Sequence, residues 1–168
     1  SGQIRDATLV AAPRQRNTNS EKEIIKGGEI PEDWKKNLSK LRQKDRDARW
    51  TVKFSKEKLK EDGSPQMDIA IPVFGYKSHL SIDRRHGIIC RFIVTDAAAS
   101  DGARLREGLR DPNNTASPVW ADTAYRSKGN EEYLLSHGKV SRIHCRKLKG
   151  KSMTRMTEKA NTSKSKVR

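Results

Sequence analysis

The stretch Val119-Trp120-Ala121-Asp122-Thr123-Ala124-Tyr125-Arg126-Ser127 decides the predicted fold. It begins as an apolar, strand-like run and carries a single acid, Asp122. A second run of this kind stands near the start of the chain, where Asp6-Ala7-Thr8-Leu9-Val10 again contains one acid. Residues 3–11 alternate well enough for a strand, which Pro13 ends. Two predicted strands, each with one aspartate, therefore frame the sequence.

The residues between and after these runs predict an alternation of strands and helices. Turn residues and helix-capping residues set the expected boundaries. In chain order the elements are a strand at 73–82, a returning strand at 88–95, a helix from about Asp101 that ends before Pro112, a strand at 119–124, a helix capped by Ser127 and ended by Gly138, and a strand at 140–144.

A long polar and basic insertion separates the first strand from the rest, over about residues 14–70. Ser20 stands three residues before Glu23, which is a capping-box pattern for a short helix closing at Gly27-Gly28. Pro31 can start a second helix, with a stripe formed by Trp34, Leu38 and Leu41.

The charge of the chain is strongly positive, at +15 over 168 residues, and 34% of residues are charged. Residues 13–60 carry 15 basic and 8 acidic side chains, and residues 139–168 carry 11 basic and 1 acidic. The remainder is nearly neutral. This distribution predicts a polyanionic partner bound through phosphate neutralisation. The alternative is that these segments are solvated faces or disordered tails.

Several site classes are disfavoured by the sequence. Cys90 and Cys145 are isolated, and the four histidines lack zinc-binding spacing, so neither a disulfide framework nor a zinc site is expected. We found no long apolar span, amphipathic helix with a large apolar face or signal-peptide core, so no membrane partner is expected. The expected location is the cytoplasm, in association with the nucleoid.

The ordered set of motifs resembles the catalytic domain of bacterial insertion-sequence transposases of the DDE type. The matching residues, beyond the two aspartate runs, are Gly75-Tyr76-Lys77-Ser78-His79, Val94-Thr95-Asp96 and Ser141-Arg142-Ile143-His144. The resemblance implies an α/β, RNase-H-like mixed sheet with flanking helices, interrupted by the basic insertion. Residues 1–150 would be a partial catalytic domain and residues 151–168 a basic, mobile tail. The family's glutamate is expected just after Lys166-Val167-Arg168, so the final helix is expected to be missing.

The resemblance also implies an active site. Asp6 and Asp122 would be the catalytic residues and the ligands of Mg²⁺ or Mn²⁺, on strands lying side by side and parallel. Adjacent carboxylates repel unless a cation lies between them, and oxygen-rich sites suit these metals. Each aspartate can instead be an ordinary strand-edge or capping acid. Arg5 departs from the family's apolar residue and is expected to point to the opposite face.

A set of basic and aromatic side chains is expected to contact DNA. Lys77 can equally be an ordinary exposed lysine, and Trp50 can be either a base-stacking platform or a hydrophobic anchor. The candidate DNA-binding residues are Lys77, Arg126, Arg49, Trp50, Arg142, Arg146 and Lys147.

The function expected from these observations is DNA transposition by metal-dependent strand cleavage and transfer, with the chain inactive in isolation. Its partner would be DNA, both the insertion-sequence ends and the target, and the intact protein could form a homo-oligomer. The alternative is a non-catalytic DNA-binding remnant or regulator. A basic RNA-binding or ribosome-associated protein would also fit the charge, but it leaves the paired aspartates unexplained.

Overall fold

The computed structural model describes residues 2–54, 69–108, 117–148 and 150–167. The chain divides into two compact units. The first comprises Ser1–Leu9, Lys77–Thr95 and Ala99–Arg168, and the second comprises Val10–Tyr76 and Asp96–Ala98. Across the described ranges, none of the helices combines the length and the apolarity needed to cross a membrane.

The described residues form strands and α-helices in alternation, with short 3-10 turns at Gly102–Arg104, Arg106–Gly108 and Thr123–Tyr125. In chain order the elements are β1 (Gln3–Ala11), α1 (Asn19–Lys26), α2 (Glu32–Lys36), α3 (Leu38–Gln43), β2 (Arg49–Phe54), β3 (Ala70–Asp83), β4 (Ile89–Asp96), β5 (Pro118–Ala121), α4 (Lys128–Ser136), β6 (Val140–Ile143) and α5 (Arg155–Ser165).

The sheet of the first unit places β3 between β4 and β1, followed by β5 and β6. Strand β5 runs parallel to both β1 and β6. In the second unit, β2 pairs antiparallel with the first half of β3. The strand order is consistent with an RNase-H-like fold, so the α/β class expected from the resemblance is confirmed.

The core of the first unit is built where β5 and β6 meet α4 and the 3-10 turns. Its buried residues are Leu105, Val119, Ala121, Tyr125, Leu134 and Ile143. Burying their apolar surface is the main favourable contribution to folding. Helix α4 begins where the sequence predicted, because the Ser127 hydroxyl accepts a hydrogen bond from Asn130 N at 3.2 Å. The core of the first unit and the capped start of α4 therefore both lie close to the end of β5.

The segment from Asp101 is not the predicted α-helix but two 3-10 turns. Two long-range side chains occupy carbonyls that an α-helix would use. Asn130 Nδ2 donates to Gly102 O at 2.8 Å, and Arg5 donates to Arg104 O at 3.0 Å. The expected helix end near Pro112 lies outside the described residues.

The predicted insertion contains more structure than its polar sequence indicated. Helix α1 begins two residues earlier than expected, because Thr18, not Ser20, forms the capping box with Glu21. The expected second helix is split into α2 and α3 by Asn37, whose side chain caps α3. Strand β2 was not predicted. Residues 55–68 of the insertion lie outside the described residues.

A fifth helix, α5, follows β6, although the sequence led us to expect no helix after that strand. The Thr154 side chain caps α5. Asn161 accepts from Cys145 N at 2.9 Å and donates to Cys145 O at 3.0 Å, and Lys164 Nζ donates to Ile143 O at 2.8 Å. These polar contacts therefore attach α5 to Ile143 and Cys145, although the segment has too few apolar residues to pack by itself. The mobility of residues 151–168 stays a prediction.

Candidate active site

The pairing of β1 with β5 determines where the two aspartates lie. The strands are parallel, with Gln3 beside Val119 and Ile4 beside Trp120. If this register were continued by two residues beyond the last paired position, Asp6 would align with Asp122. Strand β5 ends at Ala121, earlier than predicted, so Asp122 lies directly after the strand at its carboxyl end. The expectation that these two strands are adjacent and parallel is confirmed.

Each aspartate also forms a local hydrogen bond with the backbone. Asp6 Oδ1 accepts from Ala7 N at 2.9 Å. Asp122 Oδ1 accepts from Ala124 N at 2.8 Å and thereby caps the turn Thr123–Tyr125. The capping alternative considered for Asp122 therefore describes part of what this side chain does. A carboxylate has about four lone-pair sites, so one such bond is compatible with ligation.

Tyr125 lies beneath this end of the sheet and is fully buried. Burial raises the pKa of Tyr125 most; the Arg5 guanidinium opposes this, and the carboxylates of Asp101, Asp122 and Asp6 raise the pKa further. The Tyr125 hydroxyl has no hydrogen-bond partner among the described residues. The Tyr125 hydroxyl is therefore influenced by one guanidinium and by three carboxylates, those of Asp101, Asp122 and Asp6.

Arg5 is also fully buried, on the strand that carries Asp6. Its guanidinium donates to Arg104 O at 3.0 Å and to Gly108 O at 3.4 Å. Burial lowers the pKa of Arg5, opposed by Tyr125 and Glu107. Gly108 leaves room for the buried Arg5 guanidinium, because a Cβ at position 108 would overlap it. Arg5 is therefore accommodated inside the first unit, and β1 is buried at this position.

Lys77 and His79, on the expected active-site strand, face internal partners. Lys77 Nζ donates to Ala99 O at 2.7 Å and forms an ion pair with Asp101 at 3.0 Å. His79 is buried, and its Nε2 lies 2.9 Å from Thr95 Oγ1. Burial lowers the pKa of His79, with Asp101 opposing, so the neutral ring is favoured. Since the Lys77 ammonium already has two oxygen partners, we leave it out of the DNA interface proposed below.

The remaining candidate DNA-binding residues differ in whether their side chains are free to contact DNA. Arg126 donates to Ile143 O at 3.1 Å and lies 3.7 Å from Glu131, so it contributes to packing around β6. The side chains exposed beside and after β6 are Arg142, Arg146 and Lys147. The other two candidates, Arg49 and Trp50, belong to the second unit.

Two features of the site were not identified from sequence. One is the Lys77–Asp101 ion pair, and the other is the burial of Tyr125 in the core. In the described ranges, no group of three or more histidine, cysteine, aspartate or glutamate residues is arranged to hold a metal ion. Glu158, on α5, is exposed. Asp6 on β1 and Asp122 directly after β5 are therefore two carboxylates carried by neighbouring parallel strands.

Comparison with known proteins identifies the family. The family described as transposase DDE domain matches residues 1–167. Neither the curated proteins nor the solved structures include a match to this chain. The chain therefore belongs to the transposase DDE domain family, which supports a role in DNA transposition and implies DNA as its partner.

Proposed function

We propose that this domain supplies the Asp6 and Asp122 carboxylates to a metal-dependent centre that cuts and joins DNA strands. The observation that carries the proposal is the parallel register of β1 and β5, which aligns these two aspartates when it is extended past the end of β5. Two like charges held close together repel each other, and a cation between them removes that repulsion. The arrangement therefore favours a bound cation over two isolated acids.

The donor set suits Mg²⁺ or Mn²⁺, since both metals prefer oxygen ligands and keep positions open for water and phosphate. Asp6 and Asp122 would hold the ion. When bound, it would polarise the phosphodiester and stabilise the attacking and leaving oxygens. Tyr125, buried below, would keep bulk water from this end of the sheet, and its aromatic ring would fix the turn that carries Asp122.

DNA would be held by a cationic face formed by exposed side chains on β6 and directly after it. Arg142, Arg146 and Lys147 are exposed there, and the segment 139–168 carries 11 basic side chains against 1 acidic. Phosphate neutralisation of this kind gives binding without sequence preference and a steep dependence on salt. We place the insertion-sequence ends and the target DNA among its ligands.

We further propose that the chain by itself binds metal weakly and cuts DNA poorly. Two carboxylates leave the ion largely hydrated, and an error of about 1 Å in positioning can cost about 100-fold in rate. A second candidate function is a DNA-binding regulator without catalysis. It is favoured by the structural use of Asp122 as the cap of a turn, a role that needs no metal.

Metal titration distinguishes the two candidates. Isothermal titration calorimetry with Mn²⁺ should detect weak binding by the wild-type chain and about tenfold weaker binding or none by Asp6→Asn and Asp122→Asn. Asparagine keeps an oxygen acceptor for the Ala7 and Ala124 amides, so both local hydrogen bonds survive and only the charge is removed. The matched control is Asp83→Asn at the end of β3. Equal Mn²⁺ affinity in all four proteins would reject the proposed site.

A further inference from the structure

A cavity of about 270 Å³ lies within the second unit. Its apolar lining includes Ile25, Ala48, Trp50 and Phe74. Ligand pockets for drug-sized molecules usually measure about 300–1,000 Å³. This cavity is smaller, so it suits one planar ring system and not a longer ligand.

Trp50 is the half-exposed edge of this cavity, with 46% of its surface accessible. Its ring packs on the buried Phe74 with the centroids 5.4 Å apart and the planes at 45°, and the two residues are cross-strand partners. The Arg14 guanidinium lies 5.9 Å from the centroid of the Trp50 ring. Phe74 therefore supports the indole from within the unit while part of its surface remains open to a ligand.

The same face of β2 continues the apolar surface. Alternation along a strand puts Trp50, Val52 and Phe54 on one side, and Val52 and Phe54 are 53% and 61% exposed. Their cross-strand partners Pro72 and Ala70 are apolar as well. A row of exposed apolar side chains that begins at a cavity is more typical of a binding surface than of a sheet face that only contacts solvent.

The charge around the cavity selects the kind of ligand. Lys22, Lys26 and Arg49 line it, and Asp45 is the acid in the lining. The Asp45 carboxylate is already engaged, because Oδ1 accepts from Tyr76 Oη at 2.6 Å and from the amides of Asp47 and Ala48. The site therefore combines an aromatic platform with net positive charge, which is how single-stranded nucleic acid is bound.

We propose that this cavity takes one unpaired nucleobase of the DNA, stacked on Trp50, with the flanking phosphates near its basic rim. The inference rests on the proposed DNA-binding function and adds a separate site to it. Duplex DNA keeps its bases stacked inside, so the ligand would be a frayed, displaced or flipped strand. Stacking on an aromatic ring tolerates any base, so little sequence preference is expected at this position.

The test compares two single-stranded decamers of equal charge, one of thymidylates and one of abasic sugar phosphates, by fluorescence anisotropy with the full chain. The wild-type chain should bind the thymidylate decamer more tightly. Trp50→Ala should weaken that binding by about 5- to 150-fold, which corresponds to ~1–3 kcal/mol for one stacked base. It should leave the abasic affinity unchanged, and Trp50→Phe should keep most of the preference.

The matched control is Leu38→Ala, which truncates another apolar side chain of the second unit that is 62% exposed. It should change neither affinity. Equal wild-type affinity for the two decamers would overturn the base site while leaving DNA binding intact. Binding of neither decamer at low salt would instead remove the proposed DNA function itself.

Two other occupants of this surface give distinct results. If Trp50→Ala lowers both affinities together with the unfolding temperature, Trp50 is a hydrophobic anchor and the proposal is wrong. If it leaves both affinities intact and changes the sedimentation coefficient, the surface joins copies of this chain, and the proposal is again wrong. Because the comparison of decamers needs only the wild-type chain, it decides the question even if Trp50→Ala does not fold.

Discussion

Replacing Gly108 with alanine should destabilise the first unit, because the new methyl group would occupy the space of the Arg5 guanidinium. Overpacking a buried site costs about 1–3 kcal/mol. Displacing the guanidinium from Arg104 O would lose a charge-assisted hydrogen bond worth about 1.5–3 kcal/mol. Gly108 is not among the glycines with positive φ, so alanine should also stabilise the protein by about 0.4–1 kcal/mol, because it lowers the conformational entropy of the unfolded chain.

The expected net loss is therefore about 2–5 kcal/mol, a large part of the ~5–15 kcal/mol stability of a typical domain. Urea unfolding followed by circular dichroism measures it. A double-mutant cycle with Arg5→Met isolates the cause, because methionine has no planar fork to collide with the added methyl group. In that background, Gly108→Ala should be neutral or stabilising by up to about 1 kcal/mol, which reverses the sign of the effect.

Gly129→Ala in α4 is the matched control. The atom nearest its added Cβ is also a guanidinium nitrogen, that of Arg106 at 3.1 Å, but Arg106 is exposed and can move away. This change should stabilise the helix by up to about 1 kcal/mol. The reasoning fails if Gly108→Ala behaves like Gly129→Ala in the wild-type background, or if its cost is unchanged when Arg5 is methionine.

Two more predictions concern charge. The hydrogen bond from Thr18 N, followed by that from Trp34, lowers the pKa of Glu21 to about 2. Stability contributed by a lowered carboxyl pKa is lost as pH falls, so the urea midpoint of the wild-type chain should drop between pH about 4.5 and about 2. The urea midpoint of Glu21→Gln should drop less over the same range. An equal drop in both proteins would show that this carboxyl does not contribute. Replacing Arg142 on β6, or Arg146 or Lys147 after it, with glutamine should reduce the slope of log K against log salt by about 1 per residue, whereas Lys128→Gln on α4 should not. An unchanged slope would exclude this face from DNA contact.

The elements predicted correctly are those whose signals are local. Strand β1 has an alternating pattern and ends before Pro13, and helix α4 has its serine cap and a glycine just after its end. Strand β2 also carried a local signal, since Trp50, Val52 and Phe54 alternate with polar residues, but its polar surroundings obscured it. The cap of α1 was misplaced because Thr18 and Ser20 both precede a glutamate by three residues.

What could not be predicted depends on contacts between residues far apart in the chain. The segment after Asp101 has the leucine spacing of a helix, but Arg5 and Asn130 take its carbonyls across separations of 99 and 28 residues. Helix α5 is attached to β6 by Asn161 and Lys164, which a composition argument counts only as polar residues. The paired aspartates were expected from the family resemblance and not from any local pattern.

The short strand β5 has a consequence for how the chain tolerates changes in length. All four of its residues pair with β6, Val119 and Trp120 also pair with β1, and His144 N donates to Ala121 O at 3.0 Å. One residue added or removed between Pro118 and Ala121 would shift Asp122 by about 3.3 Å and turn it to the other face of the sheet. Length variation among relatives should therefore collect in turns such as the one between β3 and β4 and be absent from this strand.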